Sequence, residues 1–350
     1  MKFAIVGCGG IGCKRLRALP ESDQLVIAAD RVLTRAEDLA RERPGALATA
    51  DWRTAVAHPD VDVVIVATTN NWLAPVTIAA ADEGKHVLVE KPAARSLKEI
   101  REVMARVEGH PSCIWVGFNH RYHPALQKAR MLVDSGDLGP LMFIRGRYGH
   151  GGRLGYEQEW RADPEISGGG ELLDQGVHLI DLARWFLGDF THVGGLARTF
   201  FWDMSGEDNA FLLLQTEHNQ AAWLHASCTE WKNLFCFEIY GRKGKLQIDG
   251  LGGSYGMERL TYHRVLPKMG PPDTVVWEFP GTDLSFEHEL QAFAHSIQNG
   301  IATATSLRDA EAALVVVDTI YRNMQGSRPD FEMRPTKGDA AASLFSGTES

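Results

Sequence analysis

The chain is short of cysteine, of basic charge and of long apolar runs, and each shortage argues against a class of protein. Five cysteines stand in 350 residues (Cys8, Cys13, Cys113, Cys228 and Cys236), an odd number with no Cys-x-x-Cys pair. A disulfide framework or a zinc ribbon is therefore not expected, and the composition fits a cytoplasmic protein with reduced thiols. Lys and Arg total 36 against 45 Asp and Glu, a formal net charge of −9. A surface of that sign repels a phosphate backbone, so no nucleic-acid partner is expected. No apolar run approaches the roughly 18 residues that a membrane span needs, so no membrane partner is expected either. The apolar start, Phe3–Val6, runs straight into glycines and does not continue as a signal segment. With 44% hydrophobic and 23% charged residues, the chain has the composition of a folded globular protein.

What is present points to two domains, as the length also suggests. Short runs rich in Val and Ile (Phe3–Val6, Leu25–Ala29, Val63–Ala67, His86–Val89, Ile114–Val116) read as buried strands. Between them Ile11–Leu19, Arg35–Arg41, Leu73–Asp82 and Leu97–Val107 carry helical patterns. That alternation predicts an α/β fold, a doubly wound Rossmann-type parallel sheet over residues 1–121. After about residue 140 the rhythm changes to consecutive strands: Met142–Tyr148, Thr191–Thr199, Ala210–Thr216, Ala221–Thr229, Leu234–Tyr240 and Lys245–Asp249. They predict a second, α+β domain over 122–334 with a large, mostly antiparallel open sheet, closed by helices at Leu284–Gln298 and Leu307–Met324. Residues 335–350 are poor in large apolar groups and are expected to be a mobile tail. Trp185, Trp202 and Trp223 fall in strand or helix patterns and read as core, whereas Trp160 and Trp231 lie near turns.

Gly7-Cys-Gly9-Gly10-Ile11-Gly12 follows the first strand and opens the first helix. In that context the first glycine permits a tight turn, the second lets a pyrophosphate approach the backbone, and the third lets helix and strand pack closely. The helix N-terminus offers free N–H groups to phosphates. Asp30 ends the second strand, where a carboxylate accepts from the ribose 2′-hydroxyl and repels a 2′-phosphate. NAD is therefore expected over NADP, although Arg31 beside it is a residue that can accommodate a 2′-phosphate.

Two further segments carry chemistry. Glu90-Lys91-Pro92 places Lys91 at the carboxyl end of a strand, the edge where open α/β sheets bind ligands. Gly168-Gly-Gly-Glu-Leu-Leu-Asp174-Gln175-Gly-Val-His178 is a glycine loop running into a helix. Asp174 and His178, four apart, would share one helix face, and a carboxylate beside an imidazole orients the ring for general-base work.

These segments, with Gly117-Phe-Asn-His-Arg121-Tyr-His-Pro124, resemble the Gfo/Idh/MocA family, named for glucose–fructose oxidoreductase, inositol dehydrogenase and a rhizopine-catabolism protein. The resemblance spans nearly the whole chain, and the Glu-Lys-Pro with Gly-Gly-Gly…Asp-x-Gly-x-His combination is its specific part. It implies reversible, nicotinamide-dependent oxidation of a secondary alcohol on a sugar, a sugar derivative or a cyclitol. The family's substrate-contacting lysine falls on Lys91, its aspartate on Asp174 and its proton-accepting histidine on His178. Thr68, Asn70, Glu90 and Lys91 join the glycine loop, Asp30 and Arg31 as candidate cofactor contacts. The loop from Ala67 to Ala74 departs from the usual pattern, with Thr69 where Pro is common and Ala74 where His is common. Homodimers or homotetramers are implied as well, and an open antiparallel sheet with helices on one face needs its other face covered.

Other readings stay in competition. His120 and His123 with Asp174 and His178 can be written as a metal site, which would leave the dinucleotide motif without a purpose; no metal is expected. A regulatory sensor that binds dinucleotide without turnover would have no need of Lys91, Asp174 and His178 together. The substrate side is read from Arg121, Arg147, Arg153, Trp160 and Gln175. The stretch from Arg145 to Arg161 carries four arginines and a histidine against two glutamates, then a glycine-rich loop able to act as a lid. Such arginines suit carboxylate and phosphate oxygens, so an anionic sugar derivative, nucleotide-linked or acidic, is expected over a neutral cyclitol; the competing reading pairs them with Glu157, Glu159 or a neighbouring subunit.

Overall fold

A computed structural model describes residues 1–301 and 304–326. The predicted tail at 335–350 lies outside the described residues. In chain order the elements are β1 (Lys2–Val6), α1 (Gly10–Ala18), β2 (Gln24–Ala29), α2 (Leu33–Arg41), β3 (Leu47–Thr49), α3 (Trp52–Val56), β4 (Val63–Val66), α4 (Asn70–Asp82), β5 (His86–Glu90), α5 (Leu97–Val107), β6 (Ile114–Gly117) and α6 (Pro124–Asp134). There follow β7 (Leu141–Gly149), α7 (Pro164–Ser167), α8 (Val177–Leu187), β8 (Phe190–Arg198), β9 (Asn209–Thr216), β10 (Ala221–Ser227), β11 (Leu234–Gly241), β12 (Gly244–Asp249), β13 (Glu258–Arg264), β14 (Asp273–Phe279), α9 (Ser285–Asn299) and α10 (Leu307–Gly326).

The first six strands form a parallel sheet in the order β3-β2-β1-β4-β5-β6, which is the doubly wound arrangement expected from the alternation. Helices cover both faces, so β4 is buried along its whole length, Val63 to Val66. Side chains alternate between two cores. Phe3 and Ile5 of β1 face a core shared with Leu16 of α1 and with Phe286 and Phe293 of α9. Ala4 and Val6 face the other core, which runs on without a break into the inner face of the second sheet.

The second sheet has eight strands in the order β14-β13-β12-β11-β7-β10-β9-β8. All pairs are antiparallel except β7 with β10, which run parallel. Sequence reading missed β13 and β14 at one edge: β13 alternates buried and exposed residues over a short span, and β14 is largely exposed, so neither makes a strong apolar run. The inner face, with Ile144, Leu224 and Phe237, packs on α8 through Leu179 and Leu182. The outer face carries Phe143, Leu213 and Trp223, all at least one-third exposed. Trp223, expected in the core, is thus a surface residue, because its register beside Arg145 and Leu213 puts it on the outer side.

The closing helices divide between the two sheets: α10 packs on β8 as well as on α5, whereas α9 leaves the second sheet. Asn119 donates to Ser285 Oγ at 2.8 Å, fixing the start of α9 against the turn after β6. Arg15 of α1 reaches Glu289 of α9 at 2.6 Å and Glu90 of β5 at 2.5 Å, with all three side chains at or near full burial. Helix α9 therefore packs on the first domain from outside and forms one wall of the cleft between the sheets.

Candidate active site

A cavity of about 540 Å³ lies where the carboxyl ends of the parallel strands meet the inner face of the second sheet. On the parallel-sheet side it is lined by Ile11, Lys14, Thr68, Asn70, Glu90 and Lys91. Gly7 has a φ of +95°, and a Cβ there would come within 2.3 Å of the Ala67 carbonyl oxygen. A Cβ at Gly12 would come within 2.1 Å of the Gly7 oxygen. Both positions therefore exclude any side chain, as a strand packed directly on a helix start requires. Gly9 and Gly10 face open space, and no side chain caps α1. This leaves a bare helix N-terminus with free amides at the cavity, a cradle that suits a pyrophosphate. Asp30 is held against that loop: Cys8 N–H donates to Oδ2 at 2.9 Å and Val32 N–H to Oδ1 at 2.8 Å. Arg31 is exposed at the same corner.

On the far side the lining includes Tyr148 from β7, His150, Arg153, Tyr156, Trp160 and Arg161 from the segment after it, and Asp174, Gln175 and His178. A π turn, Leu172–Gly176, precedes α8. Lys91 Nζ crosses from β5 to this turn and donates to Asp174 Oδ1 at 2.5 Å and to its backbone oxygen at 2.6 Å. Arg161 Nε binds the other carboxylate oxygen at 3.1 Å. Burial alone would raise the Asp174 pKa, but Lys91 and then Arg161 pull it well below the usual carboxylate range. Asp174 is thus a fixed anion between two cations.

The predicted Asp174–His178 couple does not form. Both carboxylate oxygens are engaged by Lys91 and Arg161, and the Nδ1 atom of His178 has no partner among the described residues. Asp174 in the π turn and His178 in α8 both line the cavity, but the carboxylate is turned to Lys91 and Arg161 and not to the imidazole. His178 lies instead against His120, with ring centroids 3.8 Å apart. Burial, and next the nearby Lys91, hold His178 well below the ordinary histidine pKa.

Two of the candidate substrate residues lie elsewhere. Arg121 is buried, with Nε 2.8 Å from Asp181 and a second contact to Asp309 at 3.2 Å. It joins α8 to the start of α10 and cannot reach a substrate. Arg147 faces outward on β7, opposite in register to His225, while its neighbour Tyr148 faces the cavity. The other arginines of that stretch are paired: Arg145 with Glu238, Arg153 with Glu159, and Arg161 with Asp174. Arg153, Trp160 and Gln175 do line the cavity.

Sequence reading missed one wall. Gly250-Leu-Gly-Gly-Ser-Tyr-Gly256, between β12 and β13, supplies Leu251, Ser254 and Tyr255 to the lining. Its glycine density was the available signal. Behind Asp174, Glu171 is buried and accepts from the Tyr156 hydroxyl at 2.7 Å. Burial and next the like charge of Asp174 push its pKa up to about 8. Among the described residues, no cluster of His, Cys, Asp and Glu has the geometry of a metal site, and all five cysteines are free. No described helix is long and apolar enough to cross a membrane.

Family models decide the relationship. Residues 1–118 match the model described as an oxidoreductase family with an NAD-binding Rossmann fold, and residues 126–247 match the Gfo/Idh/MocA C-terminal domain. The chain belongs to the Gfo/Idh/MocA family. The scyllo-inositol 2-dehydrogenase (NAD(+)) of Bacillus subtilis is 27% identical over 90% of this chain and 92% of its own. The levoglucosan dehydrogenase of Pseudarthrobacter phenanthrenivorans is 35% identical over a shorter match, 43% of this chain and 40% of that protein. A D-xylose 1-dehydrogenase (NADP(+)) from Haloferax volcanii is 26% identical over 93% of this chain and 98% of its own. In fold, the chain superposes on a levoglucosan dehydrogenase solved with NADH and levoglucosan at a TM-score of 0.83, with 23% identity over 93% of this chain and 97% of that one. This Gfo/Idh/MocA protein is accordingly an NAD(P)-dependent oxidoreductase with relatives named as sugar and cyclitol dehydrogenases.

Proposed function

We propose that this protein is an NAD-dependent dehydrogenase of a secondary alcohol on a neutral sugar or cyclitol ring. The observation that carries the reading is the Lys91–Asp174 ion pair, set in one cavity with His178 and the bare glycine loop. Gly9, Gly10 and Ile11 would hold the pyrophosphate on backbone amides, with Asp30 toward the adenosine ribose and Thr68, Asn70 and Glu90 toward the nicotinamide end. When bound, the nicotinamide supplies the hydride chemistry.

The chain's own residues handle position and proton. His178 is neutral at physiological pH and accepts the hydroxyl proton. Lys91 is anchored by Asp174, so its ammonium is held at one place and stabilises negative charge on the substrate oxygen as it develops. Arg161 holds the other side of Asp174 and so keeps that anchor rigid. The pairing of Arg145, Arg153 and Arg161 with carboxylates of the same chain favours a neutral ring over the nucleotide-linked or acidic sugar. Asp30 favours NAD, since its carboxylate opposes a 2′-phosphate.

A homodimer or homotetramer would cover Phe143, Leu213 and Trp223 on the outer face of the second sheet. The test is a panel of inositols, free and anhydro hexoses and pentoses against uronic acids and nucleotide sugars, each with NAD and NADP. Turnover of a neutral ring with NAD is expected. Turnover confined to anionic sugars, or higher efficiency with NADP, would overturn the corresponding part of the reading. A monomer by light scattering at micromolar concentration would overturn the assembly.

A further inference from the structure

Among the described residues, no carboxylate sets the plane of the His178 ring, and its Nδ1 atom has no hydrogen-bond partner. Some other group must hold it, because a base misplaced by an ångström loses most of its effect. We infer that His120 is that group: a positioning residue whose ring packs on His178 and fixes its orientation where the sequence pattern put Asp174. The inference rests on His178 being the base.

The ring of His120 lies 3.8 Å from that of His178, tilted by 37°. Other aromatic neighbours of His178 stand farther off, Tyr148 at 5.9 Å and Phe118 at 6.3 Å, both edge-on. Among the described aromatic rings, His120 therefore lies closest to His178 and is the one that packs on its face. His120 is itself immobilised. It is 4% exposed, Tyr148 meets it edge-on at 4.9 Å, and His123 stands at 5.6 Å. His123 in turn is tied to Glu258 of β13 at 3.0 Å. A line of support thus runs from the second sheet through two imidazoles to the third.

The charges around the pair keep both rings neutral. Burial lowers the pKa of each, His178 and His123 lower that of His120, and Lys91 from β5 lowers both. Lys14 from α1 adds to the effect on His120. Facing them from β7, Tyr148 stays a neutral phenol, because burial holds its pKa well above the ordinary value. Two neutral imidazoles stack without repulsion, and a neutral ring is what a proton acceptor needs.

The test uses the neutral ring that turns over in the panel above. His120→Ala is expected to lower kcat about 10- to 100-fold, with KM and NADH affinity within about 2-fold. His120→Phe, which keeps a flat ring against His178, is expected to restore kcat to within about 3-fold of wild type. If His120→Ala does not bind NADH, His120→Asn serves as the ringless comparison. In a His178→Ala background, removing the His120 ring is expected to cost nothing further. Wild-type kcat in the ringless variant, a Phe variant as slow as the ringless one, or additive losses in the double variant would each overturn the inference. Wild-type turnover in His178→Ala alone would overturn the base assignment first, and this inference with it.

Discussion

The two ends of the cavity are built in opposite ways. At the cofactor end, the critical atoms come from one strand–turn–helix unit, and they are mostly backbone. Gly7 to Gly12 and Asp30 lie within 30 residues, and the carboxylate of Asp30 is fixed by amides of the same unit. At the substrate end, Lys91, His120, Asp174 and His178 come from separate elements, and they meet only because the second sheet and α8 fold against the first domain. Every critical interaction there is between side chains, or from a side chain to a distant carbonyl. Local sequence specifies the first kind of site, because a turn needs only its own residues. It supplies the parts of the second kind without their pairing.

The sharpest break of that contrast would be a substrate end that tolerates loss of its members. Lys91→Ala and His178→Ala are each expected to lower turnover roughly 10²- to 10⁴-fold while NADH binding and the thermal transition persist. Steady-state kinetics, stopped-flow NADH binding and a thermal melt on the same preparations read all three.

Arg121 tests whether that region's arginines serve structure. Arg121→Ala leaves Asp181 buried beside Asp309 without its cation and is expected to cost about 3–5 kcal/mol of stability by denaturant unfolding. A stable variant with raised KM would return Arg121 to the substrate.

At the cofactor end, Gly7→Ala forces a side chain into the Ala67 carbonyl at positive φ. NADH affinity by fluorescence titration is expected to fall at least about 10-fold, a loss of roughly 1.4 kcal/mol or more.

Glu171 offers a pH test of the buried polar layer behind Asp174. Its folded pKa, about 8, lies above the ordinary carboxyl value, so the native state retains a proton that the unfolded chain has released. Its contribution to stability is fully present below the ordinary carboxyl range and is lost as pH rises toward 8. The slope approaches 1.4 kcal/mol per pH unit at most, roughly, for a single group. Glu171→Gln is expected to flatten that decline, measured as Tm between pH 5 and 8. Equal slopes in the two proteins would remove Glu171 as its source.

The smallest effect is expected from Arg147→Ala. Because that side chain stands on the outer face of β7, kcat/KM should stay within about 2-fold of wild type. A larger loss would mean that the outer face communicates with the cavity.

The parallel sheet, five of its six strands and the glycine loop were legible in the amino-acid sequence, while the short β3 and α3 were not. Each depends on interactions within a few turns of chain: continuous apolar runs for strands buried on both faces, glycines where no Cβ fits, a carboxylate at a strand end. Lys91, Asp174 and His178, singled out in the sequence, all line one cavity. Their partnerships were decided by tertiary structure. The approach of the end of β5 gave the Asp174 carboxylate to Lys91, and Arg161 took its other oxygen, so neither was left for His178. The turn after β6 set His120 against the ring that Asp174 was expected to hold. Arg121 and Arg147, alike in a list of residues, were sent to a buried ion pair and an outer sheet face by packing and strand register. Which groups meet depends on ångström-scale placement between segments tens of residues apart, and no local pattern encodes that distance.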